Sequence, residues 1–322
     1  MSELVIGGLN GFVGSNTTEA LVEMGRTCVV TQHNRPGVPS FLQDHIDQKR
    51  VIVEPADATS ISDLRKIGEK HKIEGIVNVG GGFRTPGPRT PLSGLKGYFD
   101  MLDAIFKLAE EWKVRRVTFS STGGMYLGLS GTVDEAKPIY LQSPLPGIPG
   151  ILQRQKIVEV ASEEFSNGTG ISSICTRLMG FYGPYQDVSQ GSVVLRLVHA
   201  AVSGKPLDLN GAFFTHADDA VDLIYIKDLA RAVATLHTAE KLNHKIYNIG
   251  TGKTTPNREI VESVKKAVPG FNVELPPGRF PFPPIPSMDV KRLTDDTGFT
   301  PKFDTESGIR DYVDWLKAGN PK

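Results

Sequence analysis

The sequence has only two cysteines and no excess of charge of either sign. Cys28 and Cys175 each lie in an apolar run typical of a buried strand, so we expect two reduced structural thiols. Lys plus Arg and Asp plus Glu each number 36, which gives a formal net charge of zero. Without a basic excess, the chain lacks the counterion release that drives nucleic-acid binding and the attraction to anionic membranes. We therefore expect neither a nucleic-acid nor a membrane partner.

Long hydrophobic runs and a secretion signal are missing as well. No apolar run approaches the roughly 20 residues that a transmembrane helix needs. Residues 1–6 enter a short strand pattern directly, without the charged and apolar regions of a signal peptide. We expect a cytoplasmic protein. No histidine pair has metal-ligand spacing and no Gly-x-Ser-x-Gly elbow precedes a helix, so we expect no metal and no serine-hydrolase chemistry.

Short β-branched runs alternate with helical patterns along the first half of the chain. This alternation predicts an α/β fold, a Rossmann-type doubly wound parallel sheet with helices on both faces. The expected strands are 4–6, 28–31, 51–54, 75–79, 116–120 and 171–176, and the expected helices are 13–24, 60–72, 95–112 and 152–166.

The pattern changes after residue 180, where prolines and longer loops predict a smaller C-terminal substrate-binding lobe. We assign residues 1–180 to a dinucleotide-binding domain. Residues 222–250 return to it, because 222–226 and 245–249 have the pattern of buried strands around a helix at 228–237. Residues 181–221 and 251–322 then form the smaller lobe.

A glycine-rich segment directly follows the first expected strand. Gly8, Gly11 and Gly14 form a Gly-x-x-Gly-x-x-Gly pattern at the start of the first helix, with Phe12 and Val13 inside it. In this pattern Gly8 permits a tight turn, Gly11 lets the backbone approach a pyrophosphate, and Gly14 allows helix and strand to pack closely. The helix N-terminus presents free N–H groups and a positive dipole end to the phosphates. The segment predicts a dinucleotide-binding site.

The end of the second strand favours NADP as the cofactor, with NAD as the alternative. Residues 31–35 lack the carboxylate that binds the adenosine ribose of NAD, whereas His33 and Arg35 suit a 2′-phosphate. Asp57 is placed to meet the adenine amine, or else is only a turn residue before a helix. Gly80 and Gly81 follow the fourth strand and would let the backbone lie against the cofactor.

Several later segments follow one another in an order typical of one family. They are a Ser/Thr cluster at 120–122 with an aromatic residue at 126, and the segments 176–184, 224–230, 247–252 and 289–301. Together with the glycine loop, they resemble the extended short-chain dehydrogenase/reductases, which include NAD-dependent sugar epimerases and dehydratases. The resemblance covers nearly the whole chain and implies hydride transfer at a carbon that bears oxygen.

The resemblance also implies a catalytic set of a hydroxyl, a tyrosine and a lysine. By position, Thr122 supplies the hydroxyl, Ser120 borders the cofactor and Lys156 holds the nicotinamide ribose. The family tyrosine would stand four residues before the lysine, one helical turn away. Leu152 stands there instead, and leucine cannot donate a proton.

Three explanations of this departure stay open. The first is that another acid, Tyr126, Tyr140, Tyr182 or Tyr185, takes over the proton role in an NAD(P)-dependent oxidoreductase, and Tyr126 is our candidate in the catalytic set. The second is that the chain binds the cofactor and performs a redox-neutral reaction as an isomerase, lyase or epimerase. The third is a non-catalytic NADP-sensing protein.

A few further residues give expectations for the substrate and the oligomeric state. Sugar-nucleotide members of the family usually carry an arginine before the segment that resembles 222–226, and Val221 stands there instead. The phenylalanines at 213, 214, 280 and 282 either line an apolar cleft or belong to the core. We expect a small aromatic or apolar substrate. The helices 95–112 and 152–166 are candidates for pairing in a homodimer.

Overall fold

The computed structural model describes residues 2–34, 37–80, 91–141, 151–187, 192–281 and 285–320. The expected cofactor contacts of Arg35 and Gly81, and the expected cleft residue Phe282, lie outside these ranges.

Seven parallel strands of the described residues form one central sheet. Its order is 11-7-5-4-1-2-3 in chain numbering, and every pairing within it is parallel. Strands covered on both faces are apolar throughout, which explains the runs of valine and isoleucine seen in the sequence. The predicted fold class is confirmed. The strands of the described chain are β1 (Ser2–Ile6), β2 (Thr27–Gln32), β3 (Val51–Pro55), β4 (Ile73–Asn78), β5 (Arg116–Thr122), β6 (Thr132–Val133), β7 (Ser172–Leu178), β8 (Phe181–Tyr182), β9 (Ala220–Asp222), β10 (Ile224–Tyr225), β11 (Ile246–Ile249), β12 (Thr254–Pro256) and β13 (Ser287–Met288).

Helices cover both faces of the sheet. Successive side chains of a strand point to opposite faces, so β1 places Val5 in one hydrophobic cluster and Leu4 in the other. The helices are α1 (Phe12–Glu23), α2 (Ser40–Asp47), α3 (Ile61–Lys70), α4 (Pro91–Glu111), α5 (Ile151–Thr169), α6 (Val193–Ser203), α7 (Ile226–Thr238), α8 (Asn257–Ala267), α9 (Lys291–Thr297) and α10 (Thr305–Lys317). The cluster around Leu4 includes apolar residues of α3, α4 and α5, and the cluster around Val5 includes those of α1, α6, α7, α8 and α10.

The order of the strands reverses at β1. This strand pairs with β2 on one side and with β4 on the other, so the connections that follow β1 and β4 lead away from each other. In open α/β sheets, ligands bind in the crevice outside the carboxyl ends of the strands at such a point. The fold therefore places the glycine-rich segment, the ends of β2 and β4, and the end of β5 along one edge.

The prediction of a sheet strand at 222–226 was wrong. The segment contains two short strands, β9 and β10, which pair outside the main sheet, and α7 already begins at Ile226. The cause is the buried carboxylate of Asp222, which accepts hydrogen bonds from the backbone N–H groups of Thr251, Gly252 and Met288. These bonds join the segment to the loop after β11 and to β13, and not to a strand of the central sheet.

Two smaller expectations can be compared directly with the structure. Cys28 and Cys175 are free and buried, as predicted. Within the described residues, no helix has both the length and the hydrophobicity that crossing a bilayer requires.

Candidate cofactor and substrate site

The glycine-rich loop between β1 and α1 is folded tightly against its own backbone. Gly7 takes the left-handed turn, with φ of 78°. A Cβ on Gly14 would lie 2.0 Å from the carbonyl oxygen of Gly7, and one on Gly11 would lie 2.6 Å from the same atom. Gly8 lies in the same turn. A Cβ there would lie 2.7 Å from side-chain atoms of both β1 and α1, so the tight turn also depends on glycine at this position.

The N-terminus of α1 has no capping side chain. Gly11 occupies the N-cap position, no capping side-chain hydrogen bond is present among the described residues, and no acidic residue lies in the first turn. The first N–H groups of a helix need a partner, and here Phe12, Val13 and Gly14 carry them next to the positive end of the dipole. Gly80 of the loop after β4 lies against the turn, with its Cα 2.9 Å from where a Cβ of Gly7 would be. Loop and helix therefore fit a pyrophosphate.

His33 and Asp57 come together beyond the ends of β2 and β3. The Nε2 atom of His33 lies 3.8 Å from a carboxylate oxygen of Asp57 and 2.6 Å from Nδ2 of Asn34. The other carboxylate oxygen of Asp57 accepts hydrogen bonds of 2.8 Å from the backbone N–H and the hydroxyl of Thr59. Asp57 therefore shapes the turn before α3 and also places a negative charge near His33.

Thr122 ends β5 and caps the turn that follows. Its Oγ1 accepts a hydrogen bond of 3.0 Å from the N–H of Gly124, in a single turn of 3-10 helix at Gly123–Tyr126. A hydroxyl that accepts in this way still has its own proton to donate to a substrate oxygen. Ser120 is half-buried two residues earlier, and the alternation of side chains along a strand puts it on the same side as Thr122.

A buried ion pair lies behind this turn. Arg177 of β7 donates two hydrogen bonds, of 2.8 and 2.7 Å, to the carboxylate of Glu159 on α5. The hydroxyl of Ser121 donates to the same carboxylate at 2.6 Å. Paired geometry of this kind is what compensates two charges for the loss of water. The ion pair thereby connects α5 with β5 and β7.

Tyr126 belongs to this network and not to the open site. It is fully buried, its hydroxyl accepts a hydrogen bond of 2.5 Å from Arg177, and it donates one of 2.9 Å to Oδ1 of Asn248. Burial raises the pKa of its phenol. The structure therefore contradicts the expectation that Tyr126 delivers a proton to a substrate, because its hydroxyl is enclosed and already bonded.

Leu152 and Lys156 lie at different places relative to Thr122. Leu152 is buried against the turn, and its Cδ2 would lie 3.0 Å from a Cβ on Gly124. The Nζ atom of Lys156 donates a hydrogen bond of 2.9 Å to the carbonyl oxygen of Leu141. Partial burial lowers the pKa of this ammonium group. Leu152 thus packs against the turn that Thr122 caps, while Lys156 bonds to the backbone at residue 141.

The remaining tyrosines differ in exposure. Tyr182 is buried and donates to a backbone carbonyl at the start of α10. Tyr185 lies 2.6 Å from a serine hydroxyl of α2 and packs against aromatic rings. Tyr140 is 51% exposed and directly precedes Leu141, whose carbonyl Lys156 holds. Of the candidate phenols, Tyr140 combines exposure with a place beside α5.

Apolar side chains cover the Thr122 turn on the side of the C-terminal half. A Cβ on Gly123 would lie 2.9 Å from Sδ of Met288 and 3.0 Å from Cε of Met179. Val221 packs against the cluster that contains both methionines. A diphosphate would find no cation at position 221, where the family resemblance leads us to expect an arginine.

The phenylalanines form a second group around Phe280. Its ring centroid lies 6.5 Å from that of Phe213 and 6.4 Å from that of Phe214, and Phe213 is 62% exposed. Asp219 is buried beside them and accepts hydrogen bonds from the backbone N–H groups of His216 and Phe280. This segment is therefore a structural turn that anchors the phenylalanines.

The sequence matches the family model described as the NAD dependent epimerase/dehydratase family over residues 4–250. The chain belongs to this family. A relative is the dTDP-glucose 4,6-dehydratase of Neisseria meningitidis, 23% identical over 98% of this chain and 93% of its own length. Among solved structures, the UDP-glucose 4-epimerase of Thermotoga maritima is 21% identical with a TM-score of 0.79, covering 99% of each chain. The dTDP-glucose 4,6-dehydratase of Bacillus anthracis, solved with NAD, is 16% identical with a TM-score of 0.74, covering 99% of this chain and 97% of its own. At these identities the structures show a shared fold.

Within this member of the NAD-dependent epimerase/dehydratase family, sequence reasoning missed the residues behind the site. Glu159, Arg177 and Asn248 are all buried, and each bonds to the segment around Thr122. The signal was an arginine inside an apolar strand, since a charge in the centre of a sheet requires a partner. The partner of Arg177 could not be predicted from the sequence, because Glu159 lies 18 residues away on another element.

Proposed function

We propose that the protein binds a nicotinamide dinucleotide across the carboxyl ends of β2, β1, β4 and β5 and uses it to transfer hydride at an oxygen-bearing carbon. The observation that carries this proposal is the uncapped first turn of α1, next to a glycine loop with no room for a Cβ. The family to which the chain belongs is described as NAD-dependent. The bound cofactor would supply or accept the hydride, and the chain would bind, orient and handle the proton.

Thr122 orients the substrate oxygen in this proposal. The N–H of Gly124 occupies one acceptor site of its hydroxyl, so the proton of that hydroxyl stays available to a substrate oxygen at the end of β5. Substitution of Thr122 by Val keeps the shape and removes the hydroxyl. We expect lower kcat with retained dinucleotide affinity, whereas unchanged turnover would argue against the role.

Tyr140 is our candidate for the proton donor. It is the exposed phenol next to the carbonyl that Lys156 holds, so the lysine positions its segment against α5. Replacing Tyr140 by Phe should lower turnover without changing cofactor affinity. Replacing Tyr185 by Phe is the matched control and should have no effect on turnover, because its ring packs against Phe41 of α2 and Trp315 of α10.

A redox-neutral reaction or a sensing role is the second candidate, and the burial of Leu152 beside Thr122 favours it. An apolar side chain at this point leaves a substrate oxygen without an acid on that side. Turnover with deuterium-labelled reduced cofactor separates the candidates, because hydride transfer moves the label to product or exchanges it internally. Conversion without any movement of label supports redox-neutral chemistry. A partner protein whose binding follows NADPH concentration, with no turnover, supports a sensor.

The proposed cofactor is NADP, with NAD as the alternative. The end of β2 offers His33 and lacks a carboxylate of its own, which favours a 2′-phosphate. Asp57 lies 3.8 Å from His33 and works in the opposite direction by repelling a phosphate. Titration with NADPH and NADH at equal ionic strength decides between the two.

The proposed substrate is small and apolar where it meets the Thr122 turn. Support comes from Met179, Met288 and Val221, which cover this turn with side chains that cannot bind a diphosphate. The solved epimerase mentioned above holds UDP-glucose, so a sugar nucleotide is the competing substrate class. Saturable binding of UDP-glucose or dTDP-glucose, with no effect of Val221→Asp, would overturn the apolar proposal.

We also propose a homodimer formed through α4 and α5. Phe99 on α4 is 51% exposed and Val160 on α5 is 64% exposed, and the two helices pack side by side. Apolar side chains exposed on neighbouring helices fit a second copy of the same surface. Light scattering should give a dimer mass for the wild type and a monomer mass for Val160→Lys. A monomeric wild type would contradict this arrangement.

A further inference from the structure

Asn248 lies on the outer edge of the central sheet. Among the described residues, β11 is the outermost strand on its side of the sheet, and it pairs with β7 on its inner side. On its outer side, the backbone N–H of Asn248 donates a hydrogen bond of 2.7 Å to Oε1 of Glu135. The backbone groups of an edge strand need partners, and here a carboxylate two residues after β6 supplies one. The edge of the sheet is therefore joined to the chain around β6.

The side-chain amide of Asn248 bonds to three segments at once. Its Oδ1 accepts a hydrogen bond of 2.9 Å from the hydroxyl of Tyr126. Its Nδ2 donates to the carbonyl oxygens of Val133 in β6 and of Asp289 directly after β13, at 3.2 and 2.9 Å. Backbone carbonyls only accept hydrogen bonds, so the orientation of this fully buried amide is fixed. The amide joins β6 and β13 to Tyr126.

Tyr126 ends the turn that Thr122 caps. The turn, Gly123–Tyr126, is one turn of 3-10 helix, and the N–H of Gly124 within it donates to Oγ1 of Thr122 at 3.0 Å. Because the turn has only four residues, a displacement of Tyr126 also displaces the N–H that bonds to Thr122.

The same turn touches β13 directly. A Cβ on Gly123 would lie 2.9 Å from Sδ of Met288, and Tyr126, Val133 and Met288 belong to one buried hydrophobic cluster. Close-packed side chains transmit a displacement to their neighbours. The turn and β13 are thus connected at two points, by the contact of Met288 with Gly123 and by the hydrogen bonds of Asn248.

We propose that Asn248 is a positioning residue for Thr122: through the hydroxyl of Tyr126 it holds the turn against β13, so that the turn and this strand move as one body. The inference rests on the proposed function, in which Thr122 orients the substrate oxygen. A substrate that displaces β13 then also displaces the hydroxyl that bonds its oxygen.

Arg177 also donates a hydrogen bond to Tyr126, but it connects the turn to a different part of the chain. It lies on β7, which pairs with β5, so it joins the turn to the central sheet. Asn248 joins the turn to β13, which lies in the part of the chain expected to form the substrate-binding lobe. The two anchors therefore hold the turn against different bodies.

The test compares two variants with a matched control. Tyr126→Phe removes the hydroxyl and leaves the bonds of Asn248 to β6 and β13, whereas Asn248→Ala removes all the bonds of the amide. Tyr312→Phe is the control, because it removes another fully buried tyrosine hydroxyl, which lies 2.8 Å from a ring nitrogen of His199 between α6 and α10.

Hydrogen exchange of the cofactor-free protein, measured by NMR, reports the turn through the amide of Gly124 and β13 through the amide of Asp289, which donates to Val133. Each rate is taken relative to that of Val77 in the central strand β4. We expect exchange about tenfold faster, the size of one hydrogen bond, at Gly124 in both variants and at Asp289 only in Asn248→Ala. Tyr312→Phe should exchange as the wild type does.

Titration with NADPH and NADH separates a positioning role from support of the fold. Both variants should bind the reduced dinucleotide with wild-type affinity, because the glycine loop is unchanged. The fluorescence emission of the bound nicotinamide, which the proposed function places at the end of β5, should differ from wild type.

An unchanged rate at Gly124 in Tyr126→Phe, or in folded Asn248→Ala, overturns the inference, and so do a faster rate at Gly124 in Tyr312→Phe and unchanged emission in both variants. Failure of the wild type to bind either dinucleotide overturns instead the proposed function. The two failures are distinguishable because the exchange rates are measured without cofactor.

Discussion

The carboxylate of Glu159 accepts a hydrogen bond of 2.6 Å from the hydroxyl of Ser121, which makes the buried Glu159–Arg177 ion pair part of the wall behind Thr122. Replacing Glu159 by Gln leaves the guanidinium of Arg177 buried without a counter-charge. We expect a loss of about 3–5 kcal/mol in the free energy of unfolding, measured by urea denaturation. The double variant Glu159→Leu with Arg177→Met should recover most of it. Equal stability of Glu159→Gln and wild type would contradict the role of the pair.

Gly14 is the most constrained position of the loop. A Cβ there would lie 2.0 Å from the carbonyl oxygen of Gly7, so Gly14→Ala has to displace the loop from α1. We expect loss of dinucleotide binding together with a lower melting temperature. Gly168→Ala is the control, because a Cβ there meets nothing within 4 Å and alanine in a helix adds about 0.5 kcal/mol of stability. Retained binding in Gly14→Ala would show that the loop is not the phosphate site.

A carboxyl group on α1 gives the stability a pH dependence. Burial, together with the neighbouring Glu23 and Asp311, raises the pKa of Glu19 to about 7, although Lys227 lowers it in part. A raised folded-state pKa favours the protonated form, so this contribution to stability is complete below about pH 4.5 and is lost as pH rises through 7. Glu19→Gln imitates the protonated state and should remove this loss.

We expect Glu19→Gln to melt on the order of 2 °C above wild type at pH 8, with a smaller difference at pH 5. Glu110→Gln, an exposed carboxylate on α4, is the control and should follow wild type at both pH values. The same difference at pH 5 and pH 8 would contradict the titration of Glu19.

His33 tests the choice of cofactor. It directly follows β2, and the end of this strand carries no carboxylate. The proposal places the 2′-phosphate here. His33→Ala should weaken NADPH about fivefold, the size of one hydrogen bond or ion contact, and leave NADH unchanged. Equal weakening of both cofactors would assign His33 to the adenosine in general and not to the phosphate.

Much of the fold was readable from the sequence because its signals are local. Runs such as 28–31 and 51–54 are apolar and β-branched, and each became a strand of the parallel sheet. The segment 222–226 has a similar apolar run but does not join the sheet, because the carboxylate of Asp222 accepts hydrogen bonds from the N–H groups of Thr251 and of Met288 in β13. Hydrogen bonds between a buried carboxylate and backbone N–H groups far away in the sequence produce no periodic pattern from which they could be predicted.

The candidate site was readable only where residues are consecutive. The glycine spacing located the loop, although the left-handed turn is one residue earlier, at Gly7. The enclosure of the Tyr126 hydroxyl could not be predicted from the sequence, because its hydrogen-bond partners Arg177 and Asn248 lie on two other strands. The orientation of Lys156 depends on which face of α5 meets β5, and the sequence near it contains both polar and apolar residues at helical spacing.

The central claim is that the glycine loop and the free N-terminus of α1 bind the pyrophosphate of a nicotinamide dinucleotide. Calorimetric titration of the folded protein with NAD⁺, NADH, NADP⁺ and NADPH tests it most directly. The account predicts saturable binding of at least one of the four, with one site per chain, and loss of that binding in Gly14→Ala. Absence of binding of all four to folded protein would contradict it.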